Sequence, residues 1–324
     1  MKKLNDAGQT ELKKYTWKVE KTQTLISFLQ EQRRIISLGA GELSNSKIRR
    51  LVISGSVYVN GRCCRIPAYT LLPGSTVEAR IDTQKMYYEK QPDDIQFEMT
   101  EADVLYEDEW LIIVNKPAFF PVEKTIVQDR NNLHQTVIDF LHKRNPQLRN
   151  PPYVGMMHRL DRETSGAILF TKTREINSAM HDLFEEHKVT KQYRAVAFNS
   201  DRKKIKDTFS VEGYMNRISS KSSACRMGLV KNEDGLFSHT DFTVAGIEGE
   251  YVHLDCVLQT GRTHQIRVHL SSVGLPLVGD ELYGGPKGFA ENNYRIMLHS
   301  QSLEFIHPMT TETVRAESPL PPLF

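Results

Sequence analysis

The stretch of residues 239–261, HTDFTVAGIEGEYVHLDCVLQTG, constrains the fold more than any other part of the sequence. It reads as two strands joined by a turn that contains Gly246 and Gly249. Strands joined by so short a turn pair antiparallel, because a parallel pair needs a long crossover connection. The sequence therefore predicts an α+β protein with a mostly antiparallel mixed sheet and flanking helices, and it disfavours a strict parallel repeat.

The other apolar patterns fit this class. Two short apolar runs, residues 111–114 and 167–170, are candidates for buried strands. Apolar residues recur at helical spacing in residues 133–144 and 174–189. The segment KQYRAVAF alternates, which places Tyr193 on the inner face of a strand.

A length of 324 residues suggests two domains. Residues 24–82 read as a small α/β unit, in which Thr24 begins one helix, Ser44 or Ser46 caps a second that ends at Gly55, and Asn60-Gly61 forms a hairpin turn. We assign four ranges: an N-terminal extension 1–23, a small first domain 24–82, a polar linker 83–100 and a second domain 101–324.

The charge distribution is uneven. Residues 1–90 carry 16 Lys or Arg against 8 Asp or Glu, whereas the rest carry 26 against 32. A basic first domain indicates a polyanion-binding module, although an ordinary solvated Lys/Arg surface would give the same count. The four cysteines match no zinc or redox spacing, and the sequence has neither a signal peptide nor an apolar run long enough to cross a membrane. We therefore expect a cytoplasmic protein, with a monomer as the default.

The segment HRLDRETSG, residues 158–166, concentrates charge beside the buried strand at 167–170. If it is extended, Arg159 and Asp161 share one face. A carboxylate beside arginine stays ionised and suits attack on a sugar carbon or removal of its proton. Hydrolysis of a glycoside usually needs two carboxylates. The candidate for the second one is Glu163, whose side chain could equally point to solvent. The structural alternative is a buried Asp–Arg pair that pins a turn.

The segment TGRTHQIRVHL suggests a turn leading into a helix, with Thr263 as its cap, Arg262 near its start and Gly274 at its end. His264 and His269 are five residues apart, which is not the spacing of a zinc pair on a helix. Ser165 lacks the flanking glycine pattern of a serine hydrolase. Neither a metal site nor a serine nucleophile is therefore expected.

The first domain resembles the αL-type RNA-binding domain first described in a small-subunit ribosomal protein. The resemblance lies in SKIRRLVISG, VYVNGR and LPGSTVEA. It implies that Lys47, Arg49, Arg50 and Arg62 face RNA phosphates, which gives sequence-independent, salt-sensitive binding.

The second domain resembles the RluA-type family of RNA pseudouridine synthases. HRLDRETSGAILF, KQYRA, TGRTHQIRVHL, GLPLVGDELYG and LHSQSLEFIHP occur in the order typical of that family. The resemblance implies an isomerase that converts uridine in structured RNA to pseudouridine without metal or cofactor. It also implies that Asp161 is the catalytic residue, that Tyr193 stacks on the target uracil, that Arg262 pairs with the aspartate and that Arg159 displaces the base.

The expected partner is ribosomal RNA, of the large subunit, or an assembling ribosomal particle. A transfer-RNA synthase and a non-catalytic RNA-binding or ribosome-assembly protein are the alternatives. The sequence departs from the family at NKPAFFPV, where Phe119 replaces the usual glycine, and at Met156 and Met157 before HRLD. The glycine would permit a tight turn, so Phe119 puts the shape of this loop, and with it the choice of substrate, in question.

Overall fold

The computed structural model describes residues 13–33, 45–53, 55–81, 95–123, 131–202, 204–219, 225–288, 295–322 and 324. The chain divides near residue 92 into two compact units. No helix in these described ranges is long and apolar enough to span a bilayer.

In its described residues, the N-terminal unit contains a four-stranded antiparallel sheet in the order β1-β6-β3-β4, a two-stranded sheet of β2 and β5, and two helices. Its elements are β1 (Lys13–Lys18), β2 (Gln23–Thr24), α1 (Leu25–Glu31), α2 (Asn45–Ile53), β3 (Val57–Val59), β4 (Arg62–Cys63), β5 (Thr70–Leu71) and β6 (Thr76–Ile81).

Local sequence signals explain these elements. The Thr24 hydroxyl accepts a hydrogen bond from the Ser27 N–H at 3.3 Å and so caps α1, as predicted. Asn60 and Gly61 have φ of 49° and 77°, which forms the primed turn of the predicted hairpin. Strand β1 pairs with β6, so the sheet begins before residue 24, where the sequence pattern placed the start of the domain.

Helix α2 begins at Asn45, so Ser46 lies inside the helix, while Ser44 is outside the described residues. Gly55 follows the helix with φ of 82°, and its N–H donates to the Val52 carbonyl at 3.1 Å. This left-handed residue ends the helix as predicted.

The C-terminal unit is built on an eleven-stranded sheet with three helices. Its elements are β7 (Val104–Glu107), β8 (Leu111–Lys116), α3 (Leu133–Arg144), β9 (Gly155–Met156), β10 (Ser165–Thr171), α4 (Asn177–Glu185), β11 (Thr190–Phe198), β12 (Thr208–Arg217), β13 (Met227–Val230), β14 (Leu236–Glu248), β15 (Tyr251–Leu258), α5 (Gln265–Ser272), β16 (Leu298–Ile306) and β17 (Thr313–Glu317).

The strand order is β13-β12-β14-β15-β11-β16-β10-β8-β7, with β17 beside β16 and β9 beside β10. Strands β10 and β16 are parallel at their first residues, and every other pairing described in this sheet is antiparallel. The predicted α+β class and the predicted β14–β15 hairpin are confirmed.

Both faces of the sheet around β8 and β10 are covered. Ile112 and Ile168 pack on one face in the core that includes α3, whereas Ile113 and Leu169 pack on the other face with Met180 of α4. This burial on both sides explains the uninterrupted apolar runs at 111–114 and 167–170.

Three local predictions need correction. Gly246 lies inside β14 at a register shift, and Gly249 alone of the two occupies the turn. The residue before α5 is His264 in a left-handed conformation, so Thr263 does not cap that helix. Within the predicted linker, Met99 is buried and Phe97 packs edge-to-face on Phe120, with ring centroids 5.4 Å apart.

Candidate active site

The HRLD segment leads from β9 to β10 along the surface of the C-terminal unit. Leu160 is buried in the main core, and His158 Nε2 accepts a hydrogen bond from the Leu169 N–H at 3.0 Å. Arg159 is exposed, whereas the side chain of Asp161 retains 26% exposure. The predicted alternation is therefore confirmed, and Asp161 is accessible from solvent.

Asp161 is held by Arg267, which lies in the first turn of α5. Arg267 Nη1 donates to Asp161 Oδ2 at 2.8 Å. The remaining edge of the guanidinium binds buried Asp280 with two hydrogen bonds of 2.7 and 2.9 Å. One arginine thus joins an accessible carboxylate to an inaccessible one, because the Asp280 side chain is only 1% exposed.

The surroundings of Arg267 stabilise its charged form. Burial disfavours the guanidinium of Arg267, but the hydrogen bonds and charges of Asp280 and Asp161 outweigh this effect and raise its pKa. Arg267 is therefore a permanent cation. Its Nη1 places this fixed positive charge 2.8 Å from Oδ2 of the accessible Asp161 carboxylate.

The partner of Asp161 differs from the predicted one. Arg262 lies in the turn before α5, and its Nε donates to the Phe237 carbonyl at 2.9 Å instead. Because α5 begins at Gln265, the inward direction on its first turn belongs to Arg267. The expectation that Arg262 pairs with the aspartate is wrong. Both arginines belong to the same motif, so the spacing could have pointed to either.

Tyr193 lies on β11 beside a register shift in the pairing with β16. Such bulges re-aim side chains. Burial raises the pKa of the phenol to about 12, and the negative charge of Asp161 acts in the same direction. Tyr193 is thus protonated at neutral pH and lies within electrostatic range of Asp161.

Two further residues contact this cluster and were missed. His264 Nε2 lies 3.7 Å from Asp161 Oδ2, and its Nδ1 lies 2.8 Å from the Tyr283 hydroxyl. That hydroxyl accepts a hydrogen bond from the Met227 N–H at 2.9 Å, so its own hydrogen can go to Nδ1. Burial lowers the pKa of His264, although the charge of Asp161 opposes this. In the tautomer that this network favours, Nε2–H points toward Asp161.

Lys116, at the end of β8, is a further residue of this cluster that the sequence did not predict. It is fully buried, and its ammonium donates to the carbonyls of Pro117 at 2.8 Å, Arg162 at 3.0 Å and Thr164 at 2.7 Å. Two of these acceptors lie in the turn after Asp161. Lys116 therefore fixes the turn that carries the carboxylate.

Arg159 forms an ion pair with Glu123 at the surface. Phe119 keeps the conformation that glycine would favour, with φ of 60°, and its ring lies 5.3 Å from the guanidinium carbon of Arg162. The backbone turn is thus retained despite the substitution, at the strain that a bulky residue has in this region.

The alternatives based on metal and serine chemistry find no support in the described ranges. No group of three or more His, Cys, Asp or Glu residues there could hold a metal ion. Ser165 lies 2.7 Å from His299 Nδ1, but both residues are buried, and the third group on the hydroxyl is Arg295 rather than a carboxylate.

The structure describes the side chains of two of the four basic residues that were predicted to contact RNA phosphates. Arg49, on α2, and Arg62, on β4, are both exposed. The side chains of Lys47 and Arg50 lie outside the described residues.

Comparison with known proteins agrees with this arrangement. Residues 110–272 match the family model described as RNA pseudouridylate synthase, and residues 41–77 match the S4 domain. The ribosomal large subunit pseudouridine synthase D of Xanthomonas campestris is 31% identical over 291 residues, which cover 86% of this chain and 82% of that protein. The enzyme of the same name from Escherichia coli is 29% identical, covering 86% and 84%.

A solved structure of a pseudouridine synthase also resembles this fold. Human RNA pseudouridylate synthase domain containing 1 aligns with a TM-score of 0.52 and 26% identity, covering 69% of this chain and 87% of the human chain.

Proposed function

The chain belongs to the RNA pseudouridylate synthase family, and on that premise we propose that it isomerises uridines of large-subunit ribosomal RNA with Asp161 as the catalytic carboxylate. The family match makes the protein an RNA pseudouridine synthase, and the S4 domain is an RNA-binding unit. The choice of ribosomal RNA is supported by the names of relatives that align over most of their own length.

The observation that carries the role of Asp161 is its asymmetric position in the charge cluster. Arg267 and Asp280 are 6% and 1% exposed, and Asp161 alone of the three reaches solvent, with 26% exposure. A carboxylate that is accessible, fixed and paired with a permanent cation can act on a sugar carbon brought to it. A purely structural ion pair would have no need of the exposed oxygen.

The reaction breaks the bond between ribose C1′ and uracil N1 and forms a bond from C1′ to C5. The proton on C5 must then leave, and N1 gains one, so the product is an isomer. Asp161 either bonds to C1′ during this exchange or removes a ribose proton to give a glycal. Both routes require the ionised carboxylate.

The target base must leave its stack before Asp161 can reach C1′, which costs a few kcal/mol. In our proposal Arg159 enters the vacated space, since its side chain is 63% exposed and, among the described residues, is held by an ion pair with Glu123 at the surface. Tyr193 supports the uracil, and stacking on an aromatic ring contributes about 1–3 kcal/mol per base.

The test is pseudouridine mapping, by carbodiimide adducts and primer extension, in cells that lack the protein. Wild type, Asp161→Asn and the control Asp182→Asn are reintroduced; Asp182 lies on α4 with a 66% exposed side chain. We expect wild type and the control to restore the same uridines in large-subunit RNA, and Asp161→Asn to restore none while it binds RNA normally. Sites in transfer RNA would overturn the substrate. Sites restored by Asp161→Asn would overturn the catalytic role.

A further inference from the structure

Lys191, in the KQYRA motif, is a buried cation that the proposed reaction does not yet use. Its residue is 6% exposed, and it lies on β11 two residues before Tyr193 on the same inner face. Among the described residues no carboxylate lies within ion-pairing distance of its ammonium. Nζ lies 6.0 Å from the centroid of the Phe184 ring and close to the backbone of Gly261.

The residue that follows Gly261 is a second cation, Arg262. Burial lowers the pKa of Lys191, and the positive charge of Arg262 lowers it further. Arg262 itself uses Nε and its backbone N–H, on Phe237 and Gln265, and forms no ion pair with a carboxylate of the described residues. A buried cation next to a second cation is costly unless an anion neutralises both.

This pair of cations lies close to the residues that handle the target base. The charge of Lys191 also lowers the pKa of His158, the neighbour of Arg159 in the HRLD segment. The Phe184 ring that contacts Lys191 stacks on His158 as well, with centroids 4.9 Å apart. Lys191 therefore lies close to the HRLD segment that carries Arg159 and Asp161.

We propose that Lys191 and Arg262 form a binding site for one backbone phosphate of the RNA, next to the target uridine. This inference rests on the proposed function, because the phosphodiester is the anion that an RNA substrate brings to such a site. The two terminal amino groups of Arg262 can donate hydrogen bonds to the phosphate, and the ammonium of Lys191 adds a compact positive charge. The phosphate so held fixes the ribose of the flipped nucleotide relative to Asp161.

The site is tested first without RNA. The protein is labelled on its lysine side chains, and inorganic phosphate is added while the Lys191 resonance is followed by NMR. We expect a saturable shift for Lys191 that disappears in Arg262→Gln, and none for Lys188, an exposed lysine paired with Glu186 at 2.6 Å. Absence of the shift, or a shift that is equal at Lys188 (an adventitious ion only), overturns the site whether or not the enzyme modifies RNA.

The role in catalysis is tested with synthetic RNA fragments that carry the mapped uridine and a single neutral methylphosphonate at each position around it. In wild type one position should lose about 10- to 100-fold in kcat/KM, the value of a charged hydrogen bond. Lys191→Met keeps the apolar part of the side chain. In this variant, a methylphosphonate at that position should reduce kcat/KM almost no further. Equal losses in wild type and Lys191→Met overturn the proposal, whereas an inactive wild type on unmodified RNA counts against the proposed function instead.

Lys188→Met serves as the control in this experiment, because it removes a nearby exposed cation. We expect it to match wild type at every methylphosphonate position. If it instead lost the same positional dependence as Lys191→Met, the effect would be one of general surface charge, and the proposal of a specific phosphate site would fail.

Discussion

At the scale of single residues, the guanidinium of Arg267 links the catalytic candidate Asp161 to the fold. Its two hydrogen bonds to Asp280 lie in the interior, and the third reaches the accessible carboxylate. Removal of one partner of a buried ion pair is costly because the other charge stays behind without compensation. Stability and activity therefore depend on the same side chain, but through different carboxylates.

Arg267→Met should separate these two effects. We expect the free energy of unfolding to fall by about 3–5 kcal/mol, because Asp280 is left buried and unpaired. In the double variant Arg267→Met/Asp280→Asn, part of the lost free energy of unfolding should be recovered, while pseudouridine formation stays undetectable as in Arg267→Met. Urea denaturation and a pseudouridine assay on purified RNA measure both quantities. Recovery of activity in the double variant would mean that Arg267 acts on Asp161 only through the fold.

Glu123→Gln addresses the ion pair that restrains Arg159 in the free protein. The pair is at the surface, with side chains 63% and 40% exposed, so it contributes at most about 1 kcal/mol. If Arg159 must leave Glu123 to displace the target base, the variant should bind or convert RNA up to about 5-fold better. A gel-shift titration with single-turnover kinetics tests this, with Glu98→Gln as an exposed control paired with Lys143. Weaker conversion by Glu123→Gln would show that Glu123 positions Arg159 instead of restraining it.

Sequence reasoning singled out Asp161, Arg159 and Tyr193, whose roles stay predictions. It used the alternation along extended segments, which indicates the side chains that share a face. It failed for Arg262 and Arg267. The two residues are five apart, and which one points inward depends on the residue at which α5 begins. That start is set by His264 in a left-handed conformation, which is uncommon for any residue other than glycine and which the sequence pattern did not indicate.

At the scale of elements, the end of β8 and the turn after Asp161 act together through Lys116. An ammonium has three N–H groups, and each donates to one backbone carbonyl. A neutral amine has only two. Burial, the dominant effect, lowers the pKa of Lys116 to about 7, so it loses a proton as pH rises through the neutral range. The turn that carries Asp161 is thus held most firmly below that pH.

Lys116→Met should therefore lower the free energy of unfolding and also abolish a pH dependence of the reaction rate. Three backbone carbonyls, of which that of Thr164 is fully buried, lose their donor, which costs about 1–3 kcal/mol for the buried one and less for the other two. The rate constant for bound RNA should fall in wild type as pH rises above 7, and it should be lower but insensitive to pH there in Lys116→Met. Single-turnover kinetics from pH 6 to about 9 measure this. An exposed-lysine variant, Lys143→Met, should keep the wild-type profile; persistence of the alkaline fall in Lys116→Met would assign it to another group.

Elements with strong periodicity were predictable, and those set by tertiary contacts were not. The helix over residues 133–144 and the β14–β15 hairpin follow directly from apolar spacing. Gly246 could not be placed, because a glycine between two strand patterns fits a bulge as well as a turn. Lys116 could not be recognised as a clamp, because its acceptors on Arg162 and Thr164 are more than 40 residues away in sequence.

At the scale of the whole molecule, the two units differ in their charge and in the candidate residues that they carry. The N-terminal unit carries the basic excess, 16 Lys or Arg against 8 Asp or Glu in residues 1–90, and the C-terminal unit carries Asp161. Several basic side chains of the first unit are paired: Lys14 and Arg80 contact Glu78, and Lys21 contacts Glu31. Exposed Arg49 and Arg62 form no ion pair with a carboxylate that the structure describes, which makes them the best candidates there for RNA phosphates.

Arg49→Ala/Arg62→Ala should weaken RNA binding at low salt and flatten its dependence on salt concentration. Removal of one cation from a phosphate reduces the slope of log K against log salt by about 0.7–0.9, because fewer counterions are released on binding. The rate constant for bound RNA should not change, since neither arginine belongs to the unit that contains Asp161. Lys143→Ala/Lys188→Ala removes two exposed cations that are already ion-paired, with Glu98 and Glu186, and should leave the slope as it is. An equal reduction of the slope in both double variants would show that RNA responds to net charge alone, and a slower bound rate in Arg49→Ala/Arg62→Ala would mean that the first unit also positions the target uridine.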